Sequence, residues 1–209
     1  VRLPVTALVP ARDEEESLAL LLRELAASAP GVGALVVDNG SRDRTADVAR
    51  EHGAEVVAEP RPGYGRACQR GLRALARRGD GDRVVVFLDA DDLLAPDQID
   101  GLVAPLLREE AELVRGRRVS DAGRGVHGHA AAGNALVAML FRALYAAPLR
   151  DLGPFRAARL GDLLRLELDD PAFGWNVQMD VRALRAGWRV REVPVAFRRR
   201  RVGRSKISG

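Results

Sequence analysis

Short apolar runs alternate with amphipathic stretches over the first half of the chain. Residues 5–9, 34–37, 56–57, 84–88 and 113–115 read as short strands of a buried type. Between the first two, Leu18, Leu21, Leu22 and Leu25 fall on one face at helical spacing. Asp13 stands as the N-cap of that helix, and Glu14, Glu15 and Glu16 suit the positive end of its dipole. Further helices are predicted over 45–52, closed by Gly53, over 65–78 and over 96–107. Repeated strand–helix alternation predicts an α/β fold with a mostly parallel central sheet flanked by helices. Ligands of open α/β sheets bind beyond the carboxyl ends of the strands. Three carboxylates wait there: Asp13 and Asp38 just past their strands, and Asp89 directly after the clearest strand of the chain.

The pattern changes in the second half. Residues 120–129 are rich in Gly, Asp, Arg and His and read as a loop. Leu136, Leu140 and Leu144, spaced by four, predict a helix over 130–147. A further helix is predicted over 174–185, ending at Gly187, and strand character returns over 188–195. Neither an internal repeat nor a low-complexity linker interrupts the 209 residues, so the chain is expected to form one domain.

Composition narrows the class. With 47% hydrophobic and 30% charged residues, the chain can bury a core, which sets aside collagen-like, disordered and disulfide-scaffold proteins. Spanning a bilayer takes about 20 apolar residues in a row. The apolar stretches around 18–22 and 130–141 are shorter than that or are broken by Asn134, so no transmembrane segment is expected. The start lacks signal-peptide character, and the single Cys68 cannot form an internal disulfide, which together suit a reducing, cytoplasmic setting. The net charge of +4 hides its distribution. Arg198, Arg199, Arg200, Arg201, Arg204 and Lys206 crowd the end, a solvated tail or an anion-facing surface. Phe197 is the only aromatic beside them, so base stacking has little support and no nucleic-acid partner is expected.

The residues with chemistry gather after strands. In Phe87-Leu88-Asp89-Ala90-Asp91-Asp92, two carboxylates flank one small residue. Such a pair can share a magnesium or manganese ion whose remaining shell is phosphate oxygen and water. Asp92 and Asp97 read as turn and capping residues. In Asp38-Asn39-Gly40-Ser41, a carboxylate and an amide precede a turn and can read a ribose or a nucleobase edge. Pro62-Gly63-Tyr64-Gly65-Arg66 is glycine-rich before a helix, which suits close backbone approach to phosphate. His127 and His129 share a loop without further metal-type partners, and Cys68 reads as a packed helix residue.

Taken in order, VPARDEE at 9–15, VVDNGSRDRT at 36–45, GYGRA at 63–67 and FLDADD at 87–92 resemble the nucleotide-sugar half of family 2 glycosyltransferases. The resemblance continues through DLGPFR at 151–156, through Asp170 to Phe173-Gly174-Trp175, and into GRSKISG at 203–209. It is most similar to the dolichyl- and polyprenyl-phosphate sugar synthase subgroup. The resemblance implies a GT-A fold, a Rossmann-like sheet in a single domain, with a nucleotide-sugar half over about 1–118 and an acceptor-side half over about 119–209. It implies an NDP-sugar donor, UDP- or GDP-linked, a divalent cation and inversion at the anomeric carbon. Pro10, Ala11, Arg12 and Glu14 would border the nucleoside, Asp38 and Asn39 would contact base or ribose, and Gly65 would approach the phosphates. Asp89, Ala90 and Asp91 would hold the metal diphosphate, with Asp89 and Asp91 as ligands. Arg12 stands where the family usually has tyrosine, and Asn39 where it has a second aspartate.

The base is the open point. The subgroup implies a glutamate where Gln178 stands, and an amide cannot accept a proton. Asp180 and Asp170 are the remaining carboxylate candidates, with Asp91 the catalytic carboxylate at the metal. A phosphate acceptor arrives ionised and needs no base, so a polyprenyl phosphate is preferred to a soluble hydroxyl acceptor. Arg117, Arg118, Arg201 and Lys206 would bind that phosphate, arginine forks matching its oxygens, and Trp175 could touch the acceptor. A lipid acceptor would be met at the membrane surface, on its inner face. Two other readings carry less. A haloacid-dehalogenase-type phosphatase would place its paired aspartates near the N-terminus, and a degenerate protein would bind the nucleotide sugar without transferring it.

Overall fold

The computed structural model describes residues 4–79, 81–91, 96–119 and 151–196. The predicted loop at 120–129 with His127 and His129, the helix at 130–147, Asp92, Arg201, Arg204 and Lys206 lie outside the described residues. In chain order the elements are β1 (Val5–Ala11), α1 (Glu15–Ser28), β2 (Val32–Asp38), α2 (Thr45–Glu51), β3 (Glu55–Ala58), α3 (Tyr64–Ala76) and β4 (Val84–Phe87). They continue with a 3₁₀ turn (Pro96–Gln98), α4 (Ile99–Leu107), β5 (Leu113–Val119), β6 (Arg156–Arg159), α5 (Leu160–Arg165), α6 (Trp175–Arg185) and β7 (Val190–Ala196).

The seven strands form one sheet in the order β3-β2-β1-β4-β6-β5-β7. β1, β2, β3 and β4 are mutually parallel, and β5 runs parallel to β7. β6 lies between β4 and β5 and is antiparallel to both. Strand side chains alternate between faces, and the core divides accordingly. Ala7, Val9, Val36, Val84 and Val86 pack with the leucines of α1 and with Ile99, Leu102 and Leu106 of α4. Leu8, Leu35, Val37, Val85 and Phe87 pack on the other face with Leu72 and Leu75 of α3, Leu163 of α5 and Met179 of α6. The sheet is therefore dry on both sides over its centre, as a mostly parallel sheet requires.

Two differences from the sequence pattern have physical causes. β6 and α5 were not anticipated, because Arg156-Ala157-Ala158-Arg159 has no apolar run to announce a strand. Its arginine is buried by charge pairing: Arg156 is 0% exposed and its Nη1 lies 2.8 Å from Asp180 Oδ1 of α6. Arg115 of β5 lies 3.4 Å from the same oxygen and 3.3 Å from Glu192 Oε1 of β7. Asp180 is 1% exposed, so it ties three elements together and is closed to any acceptor, which removes it as a catalytic base. Asp13, for its part, does not cap α1. It adopts a left-handed φ of 50°, and its carboxylate accepts the Arg42 N–H at 2.6 Å instead.

Removing one member of a buried ion pair leaves the other desolvated and uncompensated, at about 3–5 kcal/mol. Asp180→Ala is accordingly expected to lower the free energy of urea unfolding by about that amount, whereas loss of a catalytic base would leave it unchanged. A difference below about 1 kcal/mol would contradict the placement of Asp180 among the arginines.

Candidate active site

The carboxyl ends of β1, β2 and β4 open onto a cavity of about 710 Å³. Its first wall follows β1: Pro10, Ala11, Arg12, Asp13 and Glu14. Bonds to the segment after β2 hold this turn. The Asp13 N–H donates to Ser41 Oγ at 3.0 Å and the Glu14 N–H to Thr45 Oγ1 at 2.9 Å. The Glu14 carboxylate accepts from the Ser17 hydroxyl at 2.5 Å. Four residues expected at the nucleoside, Pro10, Ala11, Arg12 and Glu14, thus share one wall.

Asp38 and Asn39 have different positions. Asp38 lies beside the cavity, where its Oδ1 accepts the Ser41 N–H at 3.1 Å and closes its own turn. Asn39 does line the cavity, but its amide is occupied: Nδ2 donates to the carbonyls of Glu59 (2.9 Å) and Arg61 (2.8 Å), and Oδ1 accepts the Gly63 N–H at 2.8 Å. Both amide donors are spent on the chain, so Asn39 shapes the loop at 59–63 rather than offering a donor to a base.

The floor is Asp89, Ala90 and Asp91. Asp89 is half-buried, and its Oδ1 is covered without a hydrogen-bond partner of ordinary geometry. Burial foremost, then the charge of Asp91, pushes its carboxyl up from the usual 3.8 to about 7, while the Tyr64 hydroxyl and Arg118 pull the other way. Among the described residues no three His, Cys, Asp or Glu side chains gather as a complete protein cage for a metal. Magnesium bound to a diphosphate needs only one or two carboxylates, and a covered, partnerless carboxylate oxygen beside a second aspartate suits that donor set. Arg118 is near enough for Asp89 and Asp91 to favour its charge. Burial alone would lower the Arg118 pKa, yet the balance is upward, with Asp151 contributing most. Its Nε and Nη2 grip the Asp151 carboxylate at 2.8 and 2.7 Å. Arg117, half-buried opposite Pro194 on β7, is not part of the cavity wall.

The remaining wall is Pro154, Ala172, Phe173 and Asn176, with Pro62, Gly63 and Tyr64 between it and the β1 side. None of these side chains was singled out from sequence for a role. The Tyr64 and Phe173 rings stack with centroids 6.3 Å apart and planes 18° from parallel. An aromatic between two glycines and another before Gly-Trp were the available signals.

Three expected site residues meet the chain itself here. Gly65 packs against backbone, since a Cβ on it would collide with the carbonyl oxygen of Asp170. Its smallness admits protein backbone. Asp170 accepts the Ala172 N–H at 2.8 Å and braces the turn before α6, without lining the cavity. Trp175 is 0% exposed in the core of the second face and does not reach an acceptor. Gln178 holds the turn too, its Oε1 accepting the N–H groups of Asp169 (2.9 Å) and Asp170 (3.0 Å).

The sequence matches the model of glycosyl transferase family 2 over residues 6–157. An uncharacterized glycosyltransferase of Mycobacterium tuberculosis is 42% identical over 205 residues, spanning 98% of this chain and 90% of that protein. An undecaprenyl-phosphate mannosyltransferase of Micrococcus luteus is 32% identical over 98% of this chain and 88% of its own length. Among solved structures, glucosyl-3-phosphoglycerate synthase of Mycobacterium tuberculosis, in complex with Mn²⁺, UDP and glucosyl-3-phosphoglycerate, superposes with a TM-score of 0.72. It is 28% identical, over 96% of this chain and 72% of that one. The same enzyme is also known in complex with Mg²⁺ and UDP.

Asp89 carries a prediction whose sign follows from its raised pKa. Between about pH 4 and 7 the folded state keeps a proton on Asp89 that the unfolded state has lost, so this group costs stability progressively as pH rises through that window. Asp89→Asn keeps the shape and cannot ionise. In the presence of a chelator its melting temperature should match that of the parent near pH 4 and exceed it by several degrees above pH 7. A constant difference across that range would contradict the burial of a charged Asp89.

Proposed function

We propose that this chain, which belongs to glycosyl transferase family 2, transfers a hexose from a nucleoside-diphosphate sugar to a polyprenyl phosphate with inversion at the anomeric carbon. The observation that carries the reading is the asymmetry of the cavity. Its described carboxylates, Asp13, Glu14, Asp89 and Asp91, lie on the β1 wall and the floor, while Pro154, Ala172, Phe173 and Asn176 opposite them offer none. Among the described residues, a hydroxyl acceptor arriving on that side finds no base to take its proton. A phosphate is already ionised and needs none.

In this reading Pro10, Ala11, Arg12 and Glu14 border the nucleoside, and Asp89 and Asp91 hold a magnesium or manganese ion on the diphosphate. When bound, that ion supplies neutralisation of the charge that builds on the departing nucleoside diphosphate. Ala90 keeps the two aspartates apart without crowding the site, and Arg118 adds a fixed positive charge beside them. A phosphate oxygen of the acceptor forms the new bond to the anomeric carbon as the bond to the diphosphate oxygen breaks on the opposite face, through an oxocarbenium-like state. No proton moves. Apolar Pro154 and Ala172 give water few partners on the attacking side, which limits hydrolysis of the donor.

The similar undecaprenyl-phosphate mannosyltransferase supports a lipid-phosphate acceptor, met at the inner face of the membrane. Among the described residues no helix is long and apolar enough to cross a membrane, so access from the surface suits the chain. The structural likeness to glucosyl-3-phosphoglycerate synthase favours one second reading, transfer to a soluble acceptor.

The decisive experiment measures binding and hydrolysis of UDP- and GDP-sugars with Mg²⁺ or Mn²⁺, then transfer to a prenyl phosphate and to 3-phosphoglycerate. The expected result is metal-dependent donor binding and transfer to the prenyl phosphate. Transfer to 3-phosphoglycerate alone would establish the soluble reading, and donor binding without transfer would establish a degenerate protein. Asp91→Ala is expected to lower transfer about a hundredfold or more, close to 2.7 kcal/mol in the barrier. Undiminished transfer in that variant would overturn the metal assignment.

A further inference from the structure

The segment from Asp169 to Gly174 is braced from several sides. The side-chain amide of Gln178 accepts the N–H groups of Asp169 and Asp170 and donates to the Asp169 carboxylate at 2.6 Å. Asp170 accepts the Ala172 N–H at 2.8 Å, and Arg182 pairs with Asp169 at 2.7 Å. The Arg66 N–H of α3 donates to the Pro171 carbonyl at 3.2 Å. The contact with α3 is so close that a Cβ on Gly63 or on Gly65 would strike the carbonyl oxygen of Pro171 or of Asp170. On this scaffold stands Phe173, a large apolar side chain 70% exposed at the cavity.

A braced loop that keeps a phenyl ring exposed in the cavity wall leaves the open face of that ring free for a ligand. At about 25 cal/mol per Å², the exposed face of that ring is stabilisation left unused. The Tyr64 ring supports one face at 6.3 Å. Tyr64 is half-buried and lines the same cavity as Asp89, so the Phe173 ring stacked on it has a defined place relative to the carboxylate floor. Pro154 and Ala172 share its wall, and neither side chain can hydrogen-bond. Among the described residues Asn176 is the one polar side chain of that wall, so a hexose laid there would leave most of its hydroxyls without side-chain partners, a cost a hydrocarbon does not bear. The nucleoside has its own wall, across the floor on β1.

We infer that Phe173 is a specificity-determining residue for the acceptor: its open face packs on the isoprenyl chain immediately behind the acceptor phosphate, with Tyr64 as its positioning residue. The inference rests on the polyprenyl-phosphate reading and adds to it. The ring makes this enzyme prefer a prenyl phosphate to a short alkyl phosphate of equal charge. Tyr64 acts only by carrying the ring, so its contribution is felt through Phe173.

The test compares farnesyl phosphate with ethyl phosphate as acceptors for the parent, Phe173→Ala, Phe173→Leu and Tyr64→Leu. A side chain this exposed can be truncated without risk to folding. Phe173→Ala is expected to raise KM for farnesyl phosphate about tenfold while leaving kcat, the donor KM and the ethyl phosphate KM within twofold. Phe173→Leu should restore most of the loss, as an apolar contact allows. Tyr64→Leu should raise the farnesyl phosphate KM in the parent and not in the Phe173→Ala background. An equal loss with both acceptors, or a change confined to the donor KM, would overturn the inference. Parent enzyme that uses neither phosphate would instead overturn the acceptor reading beneath it.

Discussion

Leu88 donates its N–H to the Leu8 carbonyl at 3.1 Å, so the chain leaving β4 is still held to β1 when it delivers Asp89. Val84–Phe87 is buried along its whole length, so the carboxylate that follows is held where the sheet ends, half-buried at the cavity floor. The cost of desolvating Asp89 is thus built into the sheet. Around it stand groups that only make sense together: Asp91, which raises that cost, and Tyr64 and Arg118, which lower it. Two carboxylates held this close beyond a strand end suit a hard dication, whose charge would offset the repulsion between them.

The acceptor side depends on a second buried electrostatic arrangement. β6 brings Arg156 into the middle of the sheet, where Asp180 neutralises it, and the same guanidinium donates to the carbonyls of Gly153 (2.9 Å) and Asn176 (3.1 Å). Pro154 and Asn176, one residue from Gly153 and the second bonded directly, both line the cavity. A charged residue in a central strand is therefore no defect in the core. It fixes two segments distant in sequence, 153–154 and 175–176, against one point, and this holds the wall that Pro154 and Asn176 contribute to the cavity.

Periodicity made the parallel half of the sheet legible because its strands are apolar and its helices amphipathic. Val84–Phe87 and the leucines of α1 state their environment in their side chains. The reversed strand was illegible for the converse reason: Arg156-Ala157-Ala158-Arg159 is buried by a partner 24 residues downstream, and no local pattern records that. The same limit explains the site. Asp89, Asp91 and the Pro10–Glu14 turn were readable because their position after a strand fixes where they point. Gly65, Asp170, Trp175, Asp180 and Asn39 carried equally suggestive residue types, but glycine smallness, a carboxylate or an amide can serve protein backbone as well as ligand. In each of these the partner proved to be the chain itself.

That misreading has a direction. The polar residues of the second half are spent on internal bonds: Gln178 and Asp170 on the 169–174 turn, Asp151 on Arg118, Asp180 on Arg156. Once they are occupied, what the described residues of this half present to the cavity is mostly apolar, with the amide of Asn176. A wall made this way discriminates by what it withholds. It gives a neutral hydroxyl nothing to lose its proton to, and it gives water few partners. Arg118, pinned between Asp151 and the floor aspartates, cannot swing out to chase an anion, so it contributes a fixed field near the diphosphate. In the proposed reading, an acceptor that brings its own charge and its own hydrocarbon meets both conditions, and chemistry at the anomeric carbon needs catalytic groups on one side only.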